Sequence, residues 1–220
     1  MTGSPAPPTG TRTHAMHPAR LFHETDHATL RQRVLDHPFA VITAVSEGRP
    51  LVVHAPVLPS GEGEAFCLHF HLSAGNPVTK ALLAGSPMLA VFTGTHGYVS
   101  PDWYGQDDQV PTWNYLSVEA EGPVTRLDDE AALTLLDALS VHFETPLAPK
   151  PVWTSAKMDK AKLQALLRGI VAFELRPTRF EGITKLSQNK PASARAGVID
   201  ALSATESGVA LAAEMRKMEP

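Results

Sequence analysis

The sequence predicts a mainly β fold with α decoration, built as a small antiparallel barrel. Three observations carry this. Apolar runs of strand length recur at close spacing, as in FAVITAVS from Phe39 and MLAVFT from Met88. Tight turn signals, Glu47-Gly48-Arg49-Pro50 and Gly122-Pro123, join consecutive runs, and so short a link requires antiparallel pairing. Helical periods are inserted between the strands rather than alternating regularly with them, which argues against a doubly wound parallel sheet.

Residues 1–16 are rich in Pro, Gly, Thr and Ser without a period and read as a disordered tail. Asp26 caps a short helix with Leu30, Val34 and Leu35 on one face, and His37-Pro38 ends it. Phe39 to Ser46, Leu51 to Leu58 and Ala65 to His71 read as strands. A capped helix runs from Pro77 to about Ala84, and Met88 to Thr93 is the next strand. Tyr98 to Gln109 reads as an aromatic, polar loop. Thr112 to Glu121 and Gly122 to Leu127 are expected to pair with each other about Gly122-Pro123. Acidic Asp128, Asp129 and Glu130 suit the start of a helix carrying Leu133, Leu136 and Leu139. Lys157 to Arg168 reads as a helix with Leu163, Leu166 and Leu167 inward. Gly169 to Leu175 and Thr178 to Leu186 are the last strands, and Ala192 to Met218 forms one or two Ala-rich helices. The expected domains are a tail (1–16), a barrel (17–190) and a helical appendage (191–220).

The chain has 220 residues, 43% of them hydrophobic, and a net charge of -4. That balance supplies no general basic field for nucleic acid. No apolar run is long enough to span a bilayer and the N-terminus has no signal-peptide pattern, so a cytoplasmic, membrane-free protein is expected. Cys67 is the single cysteine, so no intrachain disulfide forms, and its apolar strand suggests a buried, inert thiol.

Several segments hold polar and aromatic residues where packing does not ask for them. Asn76 is a favoured N-cap and Pro77 suits the first helical position, so free N–H groups follow at Val78, Thr79 and Lys80. With the Thr79 hydroxyl and the Lys80 charge this is either an anion site or an ordinary capped helix with an exposed lysine. Tyr98 to Tyr104 (YVSPDWY) and Val110 to Tyr115 (VPTWNY) are aromatic without a period. Lys185, Ser187 and Asn189 share one side of an extended strand, which is either a solvated edge or a binding face. His69 and His71 have a spacing that metals can use, but no third ligand is visible, so no metal site is expected. No Ser-His-Asp set, Walker loop or G-x-G-x-x-G motif is present, and Asp102 and Glu144 are lone carboxylates.

HLSAGNPVTK, AVFTGTHGYVSPDWY, VPTWNY and KLSQN, in this order, resemble the PaiB family of FMN-binding negative transcriptional regulators. His17-Pro18 to Phe22, Pro38-Phe39-Ala40 and His54-Ala55-Pro56 fit the same pattern, so the resemblance runs from about Met16 to about Leu202. Val78-Thr79 stands where the family usually has Gln-Trp, and Ile183-Thr184 where Lys-Trp is common. The resemblance implies a split β-barrel homodimer with FMN at the subunit interface. The phosphate then falls to Asn76, Thr79 and Lys80. Flavin needs flat apolar walls, donors for its carbonyls and positive charge near the ring. Tyr98 and Trp113 are candidate walls, Trp113 being otherwise a core aromatic. His54, His69, Asn114, Lys185, Ser187, Gln188 and Asn189 are further candidates for cofactor contact. The segment Ser100 to Gln109 is a candidate lid, with Ser100, Asp102, Trp103 and Tyr104 set to meet substrate.

Two functions follow from this resemblance: an FMN-binding repressor of transcription, or an FMN-dependent oxidoreductase acting on a small molecule. The sequence argues poorly for direct contact with DNA, because Arg195, Arg216 and Lys217 are balanced by Asp200, Glu206, Glu214 and Glu219. A passive flavin-binding dimer is the third reading.

Overall fold

A computed structural model describes residues 16–218. The expected disordered tail lies, apart from Met16, outside the described residues. Nine strands and six α-helices alternate irregularly: β1 (His23–Glu24), α1 (His27–Asp36), β2 (Phe39–Ser46), β3 (Arg49–Ser60), β4 (Cys67–Ser73), α2 (Pro77–Leu83), β5 (Met88–Val99), β6 (Thr112–Gly122), β7 (Val124–Arg126), α3 (Asp129–Glu144), α4 (Lys160–Leu167), β8 (Ile170–Leu175), β9 (Arg179–Lys185), α5 (Ala192–Ser203) and α6 (Val209–Arg216).

All strands join one sheet in the order β1-β9-β6-β5-β2-β3-β4-β8-β7, and every pairing is antiparallel. β3 serves two partners in turn. Arg49 to Pro56 pairs with β2, and Val57 to Ser60 with β4. Pro56, with no N–H to donate, stands where the partner changes. The sheet curls around one core. Ile42 of β2, Val57 of β3, Phe70 of β4, Phe92 of β5, Val118 of β6 and Phe173 of β8 are all buried in it. Among the described residues no pairing joins β1 to β7, so the barrel is split rather than closed. Leu30 and Val34 of α1 and Val78, Ala81 and Leu82 of α2 pack into the same core. The caps behave as their side chains dictate: Asp26 accepts from Thr29 N at 2.8 Å and Asp128 from Ala131 N at 2.8 Å.

A second core joins Val99, Tyr104, Leu116 and Leu186 of the sheet and its loops to Val198, Ile199 and Leu202 of α5 and Leu211 and Met215 of α6. A third sets Ala132, Leu135 and Leu139 of α3 against Leu58 and Ala172.

Four readings are corrected. β6 and β7 do not pair with each other, since β6 lies between β5 and β9 while β7 pairs with β8. Pro123 has no N–H with which to tie a hairpin, and it redirects the chain to the other half of the sheet. β5 continues to Val99 past an irregularity between Thr93 and His96, so Tyr98 is a strand residue, not a loop one. α3 buries Ala132, Leu135 and Leu139 rather than the set Leu133, Leu136, Leu139. α4 buries nothing fully, and Leu166 is exposed. No helix among the described residues is long and apolar enough to cross a membrane.

Gly182 marks the tightest crossing of α1 and β9. A Cβ there would lie 2.5 Å from Leu30 Cδ2 and 2.7 Å from the Ser117 carbonyl oxygen of the neighbouring strand. Gly182→Ala is expected to lower stability in urea by about 1–3 kcal/mol, the usual cost of overpacking. An unchanged unfolding midpoint would refute that close approach.

Candidate functional site

The start of α2 is built as its residue types require. Asn76 Oδ1 accepts from Val78 N at 2.8 Å and Pro77 takes the first turn. Thr79 is fully buried, and its hydroxyl donates inward to the Ser73 carbonyl at 2.8 Å. With Thr79 turned inward and fully buried, the exposed Lys80 is what this helix start offers a ligand; Lys80 has no ion-pair partner among the described residues.

A second group of candidates meets at the far end of β5 and β6. Tyr98 and Trp113 are cross-strand partners, and their ring centroids lie 6.3 Å apart in an edge-to-face arrangement. They are 47% and 54% exposed. That excludes the core-aromatic reading of Trp113 and leaves flat apolar surface uncovered. His96 stands 6.2 Å from the Trp113 ring. Lys185, at the end of β9 opposite Tyr115, donates at 2.8 Å to Oγ1 of Thr112, the residue before Trp113. Tyr98 and Trp113 sit at the opposite end of the β5–β6 ladder from Met88, the residue into which α2 leads.

The alternation of a strand sends Asn114 the other way from Trp113. Asn114 is fully buried and donates to Ser187 Oγ at 2.9 Å, and to Met215 Sδ of α6 at 3.6 Å. Tyr104 Oη lies 3.1 Å from the same Ser187 hydroxyl. Ser187 has φ 60°, a left-handed conformation that costs a non-glycine residue about 1 kcal/mol or more. The three polar side chains therefore satisfy one another beneath α5 and α6, where an unpaired group would be costly. Gln188 folds back on its own loop, accepting from Leu186 N at 2.8 Å and donating to the carbonyls of Leu21 and Thr184. Asn189 is exposed.

The candidate lid is anchored at its start. Trp103 N bonds the Ser100 carbonyl at 3.2 Å, Trp103 packs on the second core and Tyr104 is buried in it. Asp102 alone of this group points to solvent. His54 lies on the outer face of β3, stacked over Phe39 at 6.0 Å. His69 is in a different place again, on β4 with Cys67 and Glu174.

Two shifted groups lie close to these elements. Burial raises the Tyr115 phenol above its ordinary range, and Glu119 adds to the effect. Burial also raises the Cys67 thiol, with the Glu174 charge behind it.

The curled, unclosed antiparallel sheet plugged by helices is the architecture of split-barrel flavin-binding proteins. Residues 16–179 match the model of a family described as "Putative FMN-binding domain". The chain is 29% identical over 191 residues to the protease synthase and sporulation protein PAI 2 of Bacillus subtilis, an alignment covering 85% of this chain and 89% of that one. Its fold is similar to that of an FAD- and heme-binding protein from Mycobacterium smegmatis, with a TM-score of 0.58, 20% identity and coverage of 79% of this chain and 78% of the other. It is similar also to the flavocytochrome Anf3 from Azotobacter vinelandii, with a TM-score of 0.58, 16% identity and coverage of 80% and 74%. At these identities the two structures speak for the fold alone. The chain belongs to the FMN-binding family that the model describes, so the PaiB resemblance read from its motifs holds and its cofactor is FMN. The uncovered Tyr98–Trp113 pair, with Lys185 at the neighbouring Thr112, suits a flat, anionic, aromatic group.

Asn114→Ala is expected to destabilise the protein by about 1–3 kcal/mol, because it leaves the Ser187 and Tyr104 hydroxyls short of a buried partner. Combined with Ser187→Ala the losses should fall short of additive, since both break one network. Additive losses in urea unfolding would show that the two side chains act independently.

Proposed function

We propose that this FMN-binding protein works in the cytoplasm as a homodimer that lowers transcription, with the flavin held between two copies. The observation that carries the dimer is an apolar outer sheet face. On the side of β2 and β3 turned away from the core, Phe39, Val45 and Val52 are 66%, 52% and 58% exposed. Val41, Val91 and Leu89 continue the patch across paired strands. A contiguous apolar sheet face of this kind marks an interaction surface, and a second copy presenting the same face makes a closed two-fold contact.

Within the dimer, the exposed Lys80, beside the Asn76 cap at the start of α2, holds the phosphate. Tyr98 and Trp113 flank the ring system, and Lys185 supplies positive charge near it. FMN, when bound, supplies one- and two-electron chemistry. The chain's own residues orient it and exclude water from one face. His54, on the outer face of β3, adds a polar edge to the same interface.

The regulatory reading is supported by the relative whose name refers to protease synthesis and sporulation. It is best understood as acting through flavin state, bound ligand or a protein partner. The late helices give DNA phosphates little to hold: Lys217 is paired with Glu214 at 2.7 Å and Arg216 donates to Ser203. That same neutralised surface favours the second reading, an FMN-dependent oxidoreductase acting on a small molecule beside the exposed Tyr98–Trp113 pair.

An absorbance spectrum after gel filtration, with added FMN, tests the cofactor site. About one flavin per chain in a dimer-sized peak supports the proposal, and loss of all flavin contradicts it. Lys80→Ala is expected to weaken FMN binding by about 1.5–3 kcal/mol, the range for a hydrogen bond to a charged group. Unchanged affinity would remove Lys80 from the phosphate site. Val52→Lys should shift the sedimentation of the protein from dimer to monomer, because it places a charge in the apolar face. Rapid reduction of bound flavin by a nicotinamide would favour the enzyme, and salt-sensitive retention of a promoter fragment the repressor.

A further inference from the structure

His69 and Glu174 face each other across β4 and β8. Cys67 lies two residues before His69 and so shares its face of β4. Buried Leu68 and Phe70 point the other way, into the barrel core. His69 Nε2 is 3.5 Å from Cys67 Sγ and 3.2 Å from Glu174 Oε2. The thiol, imidazole and carboxylate ligand atoms all lie within 4.8 Å of one another.

Those separations have a specific meaning. Zinc bonds sulfur at about 2.3 Å and nitrogen or oxygen at about 2.0–2.1 Å, so the edges of its tetrahedron are about 3.6 Å from sulfur to nitrogen and about 3.3 Å from nitrogen to oxygen. The observed edges agree with both. The other carboxylate oxygen of Glu174 is held by Arg176 Nε at 2.7 Å, which turns Oε2 toward His69. Such an outer contact fixes a ligand's orientation. Cys67, the next residue on the same face of β4, brings its thiol to the same nitrogen, with the Ser60 carbonyl 3.8 Å from the sulfur on its other side.

One side of this group is open. His69 and Glu174 line a cavity of about 550 Å³ between the sheet and α3, walled by Leu58, Leu127 and Leu135. We propose that Cys67, His69 and Glu174 form a zinc-type metal site with three protein ligands and a fourth position facing this cavity. The donors select the metal: a thiolate, an imidazole and a carboxylate suit a borderline-soft divalent ion and not calcium or magnesium. An open fourth position holds water or the donor atom of a small ligand. The leucines, with Asp128, Glu130 and Thr134 also on the lining, admit a small ligand with an apolar body, polar groups and one metal-binding end. The site is separate from the flavin residues. β4 is parted from β6, which carries Trp113, by three strands of the sheet order.

The test uses the full-length protein, stripped with a chelator, exposed to zinc and then dialysed, with metal counted by mass spectrometry. Cobalt gives a second readout, because a thiolate ligand produces a near-ultraviolet charge-transfer band and a tetrahedral site produces intense visible bands. About one zinc per chain is expected, with a cobalt–thiolate band in the difference spectrum. Cys67→Ser should abolish that band, and Glu174→Gln should weaken zinc at least about tenfold. Both variants should keep their FMN, which shows that they remain folded. Failure of the wild-type protein to retain zinc would overturn the proposal. So would equal retention by wild type and both variants, which would mark adventitious binding to surface histidines. Loss of FMN from the wild-type protein with zinc retained would count against the flavin reading and leave this one standing.

Discussion

Strand β3 pairs with β2 and β4 along different residues, and the rest of the molecule follows from how it divides itself. Its first part extends β2, and its last four residues pair with β4. The change of partner turns the sheet through the core and separates two half-sheets. One half, β1-β9-β6-β5-β2, carries the exposed aromatic pair and Lys185. The other, β4-β8-β7, carries Cys67, His69 and Glu174. Because neighbouring residues of a strand face opposite ways, each half has an inner side committed to the core and an outer side free for function.

That alternation also explains which functional residues could be read from sequence. Phe39 to Ser46 is strand-like in composition and is β2 without a residue's difference. Asn76-Pro77 is a local signal, and its cap forms as chemistry demands. The motifs VPTWNY and KLSQN do converge in space, since Tyr115 pairs with Lys185. Their internal division was not legible. Trp113 and Asn114 are adjacent in sequence, yet one is half exposed and the other fully buried. Only the placement of α5 and α6 over one face decides which is which.

The same limit governs the partner of His69. A single sequence shows Cys67, His69 and His71 alternating, but Glu174 enters only through the register of β4 against β8. Cross-strand contacts depend on register, and register is set by the whole sheet. The pairing of β7 is hidden from the sequence for a related reason. A Gly-Pro step reads as a hairpin locally, whereas Pro123 carries the chain across to β8.

Ser187 shows how the two kinds of information meet. A left-handed serine is unfavourable alone, and it persists here because Asn114 and Tyr104 hold its hydroxyl and the second core closes over it. The strain turns the chain sharply after Lys185, so that the lysine stays on the outer side beside Thr112 while Leu186 and Ser187 go inward. The polar residues of KLSQN thus divide the work. The buried ones fix the loop, and the fixed loop holds the Lys185 charge at Thr112, the residue before Trp113. A lysine held by a rigid turn loses less freedom when it meets a ligand than one at a mobile edge, which is why so much buried polar chemistry is gathered behind an open surface.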